Sequence, residues 1–467
     1  MNRAHFCSDV PLEIVVALAA TDRTGSVERL LASLKPVMND EHLHVLVLDN
    51  GKTTCLEQVI RDAASESSGA RLRVLSSSPR LPLHRARVEL SEAVAAASGR
   101  DWGASPVVWM VDDDVSFERM AIRGGRMCVE NVARLRLQQL RVIAASGAWD
   151  MVVSGFTGDA PVRPNAVISC QLMDLNCALR DLRGRPVSSD MPTIRLDGSR
   201  YNGDYYYTHR ELGTDDCERP FPWHGHTFKR LSVGEYAASM LEASAGIERG
   251  QGVFRPLVDV EPDDEPRVER VEAPNRGGNA VFFGLRPMLD HQYPAFAVRN
   301  GFSRRSDMIG SALLVRQGYR VGCSNLTLRH DRSDQLVVAP DKMQWEPEFA
   351  GVLLARVVMR NMCTRVPMTD ELSELARTRA ERIRRDAEQV VREADACLAT
   401  LAAADAPWWA YRPAARAADR VNAMIAGIQE TFGNALRTDV LGADDVNALV
   451  EAVERQRTAF IFTERVA

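Results

Sequence analysis

The chain has 467 residues, 45% hydrophobic and 26% charged, the balance of a globular protein large enough for two or three domains. A net charge of −5 leaves no electrostatic footprint for a nucleic acid. The nine cysteines form neither a CxxC pair nor a Cys/His zinc spacing, which argues for reduced thiols in a cytoplasm and against a disulfide framework.

Met1–Glu13 lacks the apolar core of a signal peptide. Leu12–Ala20 reads as a first strand, and Thr21–Gly25 as the loop at its carboxyl end. Val27, Leu30, Leu31 and Leu34 then recur at helical spacing up to Lys35-Pro36. His44–Leu48 is a second strand, stopped by the turn signal Asp49-Asn50-Gly51. A helix over Leu56–Ala64, a strand over Leu72–Leu75 and a helix over Arg85–Ala97 follow, and then the apolar strand Val107–Val111. Strands alternating with helices over this length imply βαβ units and a mostly parallel sheet.

Val129–Ala145 is expected to be helical, and Met151–Gly155 to be a strand. From Thr157 to about Asn275 periodicity is poor and Pro, Gly, Tyr and Asp are dense; a loop-rich stretch of this length usually covers a site. Within it, Ser232–Ala245 could be a helix. Ala280–Phe283 is again a strand, Ser306–Gln317 a helix ending near Gly318, and Tyr319–Val321 and Leu326–Leu328 two short strands. The apolar run Phe349–Met359 is too short for a membrane span and contains Arg356. Beyond Thr369, apolar residues at 372, 375, 380, 383, 387, 390, 394, 398 and 401 mark a long helix, followed by helices over about 414–431 and 444–457. This bundle offers a packing seam or a homodimer contact. Pro407–Arg412, with its aromatics, suits a packed helix corner or a peripheral touch to a membrane surface.

The chemistry concentrates where Val107–Val111 ends in Asp112, Asp113 and Asp114. Ligand sites of open α/β sheets lie outside the carboxyl ends of the strands. Three adjacent carboxylates repel one another unless a cation or hydrogen-bond donors meet them. Oxygen donors suit Mg²⁺ or Mn²⁺ shared with substrate phosphates; a solvated acidic turn is the plainer alternative. Asp49 could serve a ligand or an Asx turn, and Asp22 a ligand or a helix start. Arg87 could meet a diphosphate or stay solvated. Asp307 could act as a base or simply complement its helix, and His330 could ligate a metal or face solvent. His224 and His226, with Asp215 and Asp216, form a weaker second metal candidate.

The order of these features resembles the GT-A-fold nucleotide-sugar glycosyltransferases, particularly the inverting group called family 2, over roughly residues 11–335. The resemblance implies an α/β, Rossmann-like GT-A domain over 1–340, with 157–275 as an insertion on the acceptor side, and an α-helical region over 341–467. It implies a nucleoside-diphosphate sugar, most plausibly UDP-linked, contacted by Asp22, Arg23, Asp49, Arg87, Asp112, Asp113 and Gly278. Mn²⁺ or Mg²⁺ would be held by Asp112, Asp114 and His330. Asp307 would be the catalytic base toward a hydroxyl-bearing acceptor, whether glycan, lipid-linked sugar or small molecule. The chain departs from the family's usual pattern in having Ser306-Asp307 in place of Glu-Asp, and Ala86-Arg87-Val88 in place of Ala-Arg-Asn. A sugar nucleotidyltransferase and a non-catalytic nucleotide-sugar-binding scaffold are the alternatives. The first would want a Gly-rich basic loop after the first strand, where Thr21–Gly25 has one Gly and one Arg.

Overall fold

The computed structural model describes residues 12–21, 23–51, 54–66, 72–77, 79–102, 105–124, 126–159, seven positions between 168 and 180, and 190–191. Further along it describes 231–232, 246–249, 251, 256–260, 262–270, 280–299, 301–333, 342–359, 369–403, 412–437 and 443–463. Strands and helices alternate at first: β1 (Ile14–Ala20), α1 (Thr24–Leu34), β2 (Leu43–Asp49), α2 (Thr54–Glu66), β3 (Leu72–Ser76), α3 (Leu83–Ala97) and β4 (Val107–Val111). Next come β5 (Val115–Ser116), the hairpin β6 (Glu118–Arg123) and β7 (Arg126–Asn131), α4 (Ala133–Ala145) and β8 (Met151–Gly158). Short strands β9 (Asp190–Met191), β10 (Leu231–Ser232), β11 (Asp259–Val260) and β12 (Val268–Arg270) precede β13 (Ala280–Gly284) and α5 (Leu285–His291). Then follow β14 (Ala297–Val298), β15 (Gly301–Phe302), α6 (Ser306–Arg316) and β16 (Val321–His330). The described C-terminal elements are α7 (Lys342–Met359), α8 (Thr369–Ala402), α9 (Arg412–Arg437) and α10 (Ala443–Thr463).

Among the described residues, nine strands form the central sheet, in the order β12-β16-β8-β13-β4-β1-β2-β3, with β5 added to β16. β1 runs parallel to β2 and β4, β2 to β3, and β8 to β16. β13 is antiparallel to both β4 and β8, so it reverses direction between two strands that share one. The carboxyl ends of β1, β2, β4, β8 and β16 therefore lie along one edge.

β1 shows why these segments read as unbroken apolar runs: all seven of its residues are buried. Ile14, Val16 and Leu18 join one core cluster with Val27, Leu30, Leu34, Leu137 and Leu140. Val15, Ala17 and Ala19 join another with Ala86, Leu90, Val94, Met288 and Leu314. Both sheet faces are thus covered by helices, as a mostly parallel sheet requires. A third cluster joins Met308, Ile309 and Ala312 of α6 to Phe349, Leu353 and Val357 of α7 and to Leu372, Leu449 and Val453. Helix α6 is held between the sheet and the C-terminal helices.

Two expectations are corrected. The helix expected from Val129 starts at Ala133, because 126–131 pairs with β6 after Gly124, which has φ +55°. The two short strands expected at 319–328 are one ten-residue strand, β16, with an irregularity between Cys323 and Thr327. Helix α7 absorbs the Phe349–Met359 run despite an internal Pro347; the Pro347 carbonyl accepts the Arg304 N–H at 2.8 Å. Ser232 lies in β10, and the rest of the helix expected to Ala245 lies outside the described residues.

Gly158, at the end of β8, has φ +83°, and a Cβ there would lie 2.5 Å from the His330 carbonyl oxygen. Gly147 has φ +57° with open space around it. Gly158→Ala is expected to cost about 3 kcal/mol or more by combining left-handed strain with a backbone clash, against roughly 1 kcal/mol for Gly147→Ala. Urea unfolding of the two variants would show it; equal losses would mean that the β8–β16 approach tolerates a side chain.

Candidate functional site

Three acidic side chains leave the end of β4, and each turns to a different partner. Asp113 is 6% exposed. Its Oδ2 accepts the backbone N–H of Thr21 at 3.0 Å and the Thr21 hydroxyl at 2.5 Å, which ties the β4 end to the β1 end. The Arg23 guanidinium reaches Asp113 Oδ1 at 3.4 Å and Asp114 Oδ2 at 2.9 Å. Asp112 takes Arg87 of α3, whose Nη2 donates to Oδ1 at 2.5 Å. Arg87 is 5% exposed, so it is no solvated helix residue; its guanidinium also lies over the Tyr293 ring, 5.5 Å from the centroid.

Asp114 faces His330, whose Nε2 lies 3.4 Å from Oδ2. The other ring nitrogen, Nδ1, is 2.8 Å from the Asp159 carbonyl oxygen. A carbonyl can only accept, so Nδ1 carries a proton, and Nε2 beside the carboxylate either donates to it or, when unprotonated, offers a lone pair. With Nε2 unprotonated, the imidazole and the carboxylate could share a cation, and a ring N–H anchored on a carbonyl is how metal-binding histidines are oriented. The pair therefore fits Mn²⁺ or Mg²⁺, which take a carboxylate or two and complete their shell with substrate phosphates and water. Among the described residues, no group of three or more His, Cys, Asp or Glu side chains could hold a metal ion by itself. The protein would supply two donors and the ligand the rest.

Asp159, at the carboxyl end of β8, organises this side. Its N–H donates to the His330 carbonyl at 2.9 Å, and its Oδ2 accepts the Arg332 N–H at 2.8 Å. The Phe156 ring meets the imidazole edge-on at 6.1 Å. Neither Asp159 nor Arg332 was singled out from the sequence; the strand-end rule that picked Asp112–Asp114 would have found Asp159, had β8 been extended past Gly155.

The charge balance is graded. Burial opposes the charge of Asp114, but His330, Arg23 and Arg332 outweigh it and hold the carboxyl well below its usual range. Burial raises Asp112 to about 6, with Asp114 and Asp307 adding to the rise and Arg87 opposing it. Burial and Asp114 also raise Asp113, against Arg23 and Thr21.

Asp307 is half-buried in the first turn of α6, within the field that acts on both Arg87 and Asp112. Its main chain is fixed from two sides. The buried His291 Nε2 donates to the Asp307 carbonyl at 2.9 Å, and the Ser311 hydroxyl donates to the same oxygen at 2.7 Å. Arg305, left-handed at φ +66°, precedes the helix and pairs with the buried Glu348 of α7 at 2.5 Å. A Cβ at Gly351 would lie 2.2 Å from the Arg304 carbonyl oxygen, so glycine lets this segment dock on α7.

Asp49 closes an Asx turn, accepting the Gly51 N–H at 3.0 Å. The fully buried Asn50 does the structural work there: its Oδ1 accepts from Leu81 N–H at 2.7 Å and from the Ser77 hydroxyl, and its Nδ2 donates to Leu81 O. The geometry brings Arg23, Arg87, Asp112, Asp113, Asp114, Asp307 and His330 together and leaves Asp49 one strand further along the same edge. Asp22, Gly278, the His224/His226 pair and the 407–411 aromatics lie outside the described residues. No helix among the described residues is long and apolar enough to cross a membrane.

No family model matches the chain, and no curated protein matches it by sequence. A similar solved structure is the mannosyltransferase PcManGT from Pyrobaculum calidifontis in complex with GDP-Man and Mn²⁺. It is 13% identical, with 96% of this chain and 90% of that chain covered and a TM-score of 0.36. Functional weight rests on the geometry of the site, not on a likeness of that degree.

His291 yields a pH prediction. Burial pulls its imidazole down to about 4, against the pull of Asp307, whereas the unfolded chain protonates it near 6.5. Between those values the unfolded state binds the proton and the folded state does not, so stability falls as pH falls through the window. Wild-type protein is expected to lose up to about 3 kcal/mol relative to His291→Phe between pH 6.5 and 4; parallel pH–stability curves would contradict it.

Proposed function

We propose that this chain is a metal-dependent glycosyltransferase that moves a sugar from a nucleoside diphosphate to a hydroxyl acceptor with inversion. The observation that supports this most is the convergence of Asp112–Asp114 with Arg23, Arg87 and His330 at one sheet edge, with Asp307 in the same electrostatic field. Such a cluster suits a ligand that carries several negative charges and a cation at one end and a polar reacting centre at the other. The ends of β1 and β2, with Arg23 and Asp49, would take the nucleoside, a uridine by this reading, and Asp22 is proposed from the sequence as a further contact.

Asp114 and His330 would hold a divalent cation, which when bound supplies Lewis-acid stabilisation of the diphosphate. Arg87, buried and always charged, is placed to neutralise the leaving group, while Asp112 fixes the direction of its fork. Asp307 accepts the proton of the acceptor hydroxyl as that oxygen forms its bond to the anomeric carbon. The bond from the anomeric carbon to the diphosphate oxygen breaks on the opposite face, the electron pair leaves with the diphosphate, and the configuration inverts. The helices over 341–467 brace α6, which carries the base, and the 157–275 stretch is assigned to the acceptor side.

A thermal-shift screen of UDP- and GDP-sugars with and without Mn²⁺ tests this, since a ligand that binds only the folded state raises its melting temperature. The expected result is a shift that requires both sugar nucleotide and metal, lost in Asp114→Asn and in His330→Ala. Asp307→Asn should keep the shift and lose roughly 100-fold or more in transfer rate. Release of pyrophosphate instead of a nucleoside diphosphate would make the protein a nucleotidyltransferase, and absence of any sugar-nucleotide shift would defeat the proposal.

A further inference from the structure

Arg87 and Asp307 reach the site from different elements, α3 and α6, and a third element touches both. Helix α5 ends at His291, and the next two residues have positive φ, Gln292 at 53° and Tyr293 at 44°. A left-handed conformation costs a non-glycine residue roughly 1–2 kcal/mol, so two in succession are kept only where the surroundings impose them. Here the turn closes tightly, with the Tyr293 N–H donating to the His291 carbonyl at 2.7 Å. The two rings pack against each other tilted by 52°, 4.3 Å between centroids, and both residues are nearly inaccessible, at 1% and 3% exposure.

Each ring then serves a different functional residue. The Tyr293 face carries the Arg87 guanidinium, an orientation that leaves the fork directed at Asp112. His291 holds the Asp307 carbonyl and lies 3.3 Å from the Ser311 hydroxyl. The imidazole fits because residue 310 is glycine: a Cβ there would lie 2.4 Å from Cε1 and 2.5 Å from Nδ1. Phe283 of β13 closes the far side, 5.3 Å from the imidazole.

We propose that the strained turn His291–Gln292–Tyr293 is a positioning element that sets the Asp307 main chain and the Arg87 guanidinium relative to Asp112. His291 and Tyr293 are positioning residues, acting through Asp307 and Arg87. That this sets a base against a diphosphate-binding arginine rests on the glycosyltransferase reading; that it couples the two residues does not. The arginine needs the aromatic face and not the hydroxyl, so the chemistry distinguishes Tyr293→Phe from Tyr293→Met, which keeps side-chain bulk without a ring.

Two measurements test the proposal separately from that reading. In steady-state kinetics, Tyr293→Met should lower kcat about tenfold or more with the donor KM within about twofold, and Tyr293→Phe should restore kcat, because oriented groups affect the transition state more than ground-state binding. Equal impairment of the Phe and Met variants, or full activity of Tyr293→Met, overturns it. In thermal unfolding, which needs no turnover, Tyr293→Met and Arg87→Ala should be non-additive. The double variant should melt within about 2 °C of the less stable single variant, as for residues in contact; additive losses overturn the coupling whatever the protein transfers. Should Tyr293→Met fail to fold, Ser311→Ala tests the other arm. Loss of a hydroxyl on the Asp307 carbonyl should lower kcat severalfold at unchanged donor KM, and an unchanged kcat counts against the proposal. A chain that turns over no sugar nucleotide but shows non-additive unfolding would defeat the glycosyltransferase reading and leave the positioning element standing.

Discussion

Three consecutive carboxylates at the end of a buried strand set the central constraint. At separations near 4 Å, like charges repel by several kcal/mol in a protein-like medium, so they persist only where cations and donors are drawn in. Arg23 comes from the loop after β1, Arg87 from α3, and His330 from the end of β16. The Thr21 main chain and hydroxyl take the middle aspartate. Each partner arrives from a different element, so the acidic triad is also the knot that gathers one edge of the sheet.

The fold supplies those partners by direction. Because β13 runs antiparallel between β4 and β8, the strands to either side keep a common sense, and their carboxyl ends meet. Gly158 lets β8 approach β16 closely enough for Asp159 to clamp His330. Helix α6 is fixed twice, by the sheet through Leu314 and by α7 through Met308, Ile309 and the Glu348–Arg305 pair. The C-terminal helices thus bear on the site although none of their described side chains enters the aspartate cluster.

Much of this was legible in the chain. β1, β4 and Val45–Leu48 of β2 are continuous apolar runs because both of their faces are covered, and their stop signals, Asp49-Asn50-Gly51 and Asp112–Asp114, lie where the strands end. Arg87 and His330 were recognisable by type and order. What did not show was long-range geometry. Tyr293 and His291 sit in a turn whose positive φ values carry no glycine signature, since strain imposed by packing leaves no local mark. Asp159 lay at the start of a loop-rich stretch that concealed the last residues of β8. Helix α7 looked like an isolated apolar run because a proline sits in its second turn and its packing partners lie far away in sequence.

The central claim is that Asp114 and His330 share a divalent cation with a nucleoside diphosphate at the strand ends. The most direct measurement is a crystal structure grown with Mn²⁺ and UDP, with data collected at the manganese absorption edge. The account predicts an anomalous peak bonded to Asp114 and to His330 Nε2, with diphosphate oxygens completing its shell. Manganese bound elsewhere, or UDP bound away from the Asp112–Asp114 edge, would contradict it.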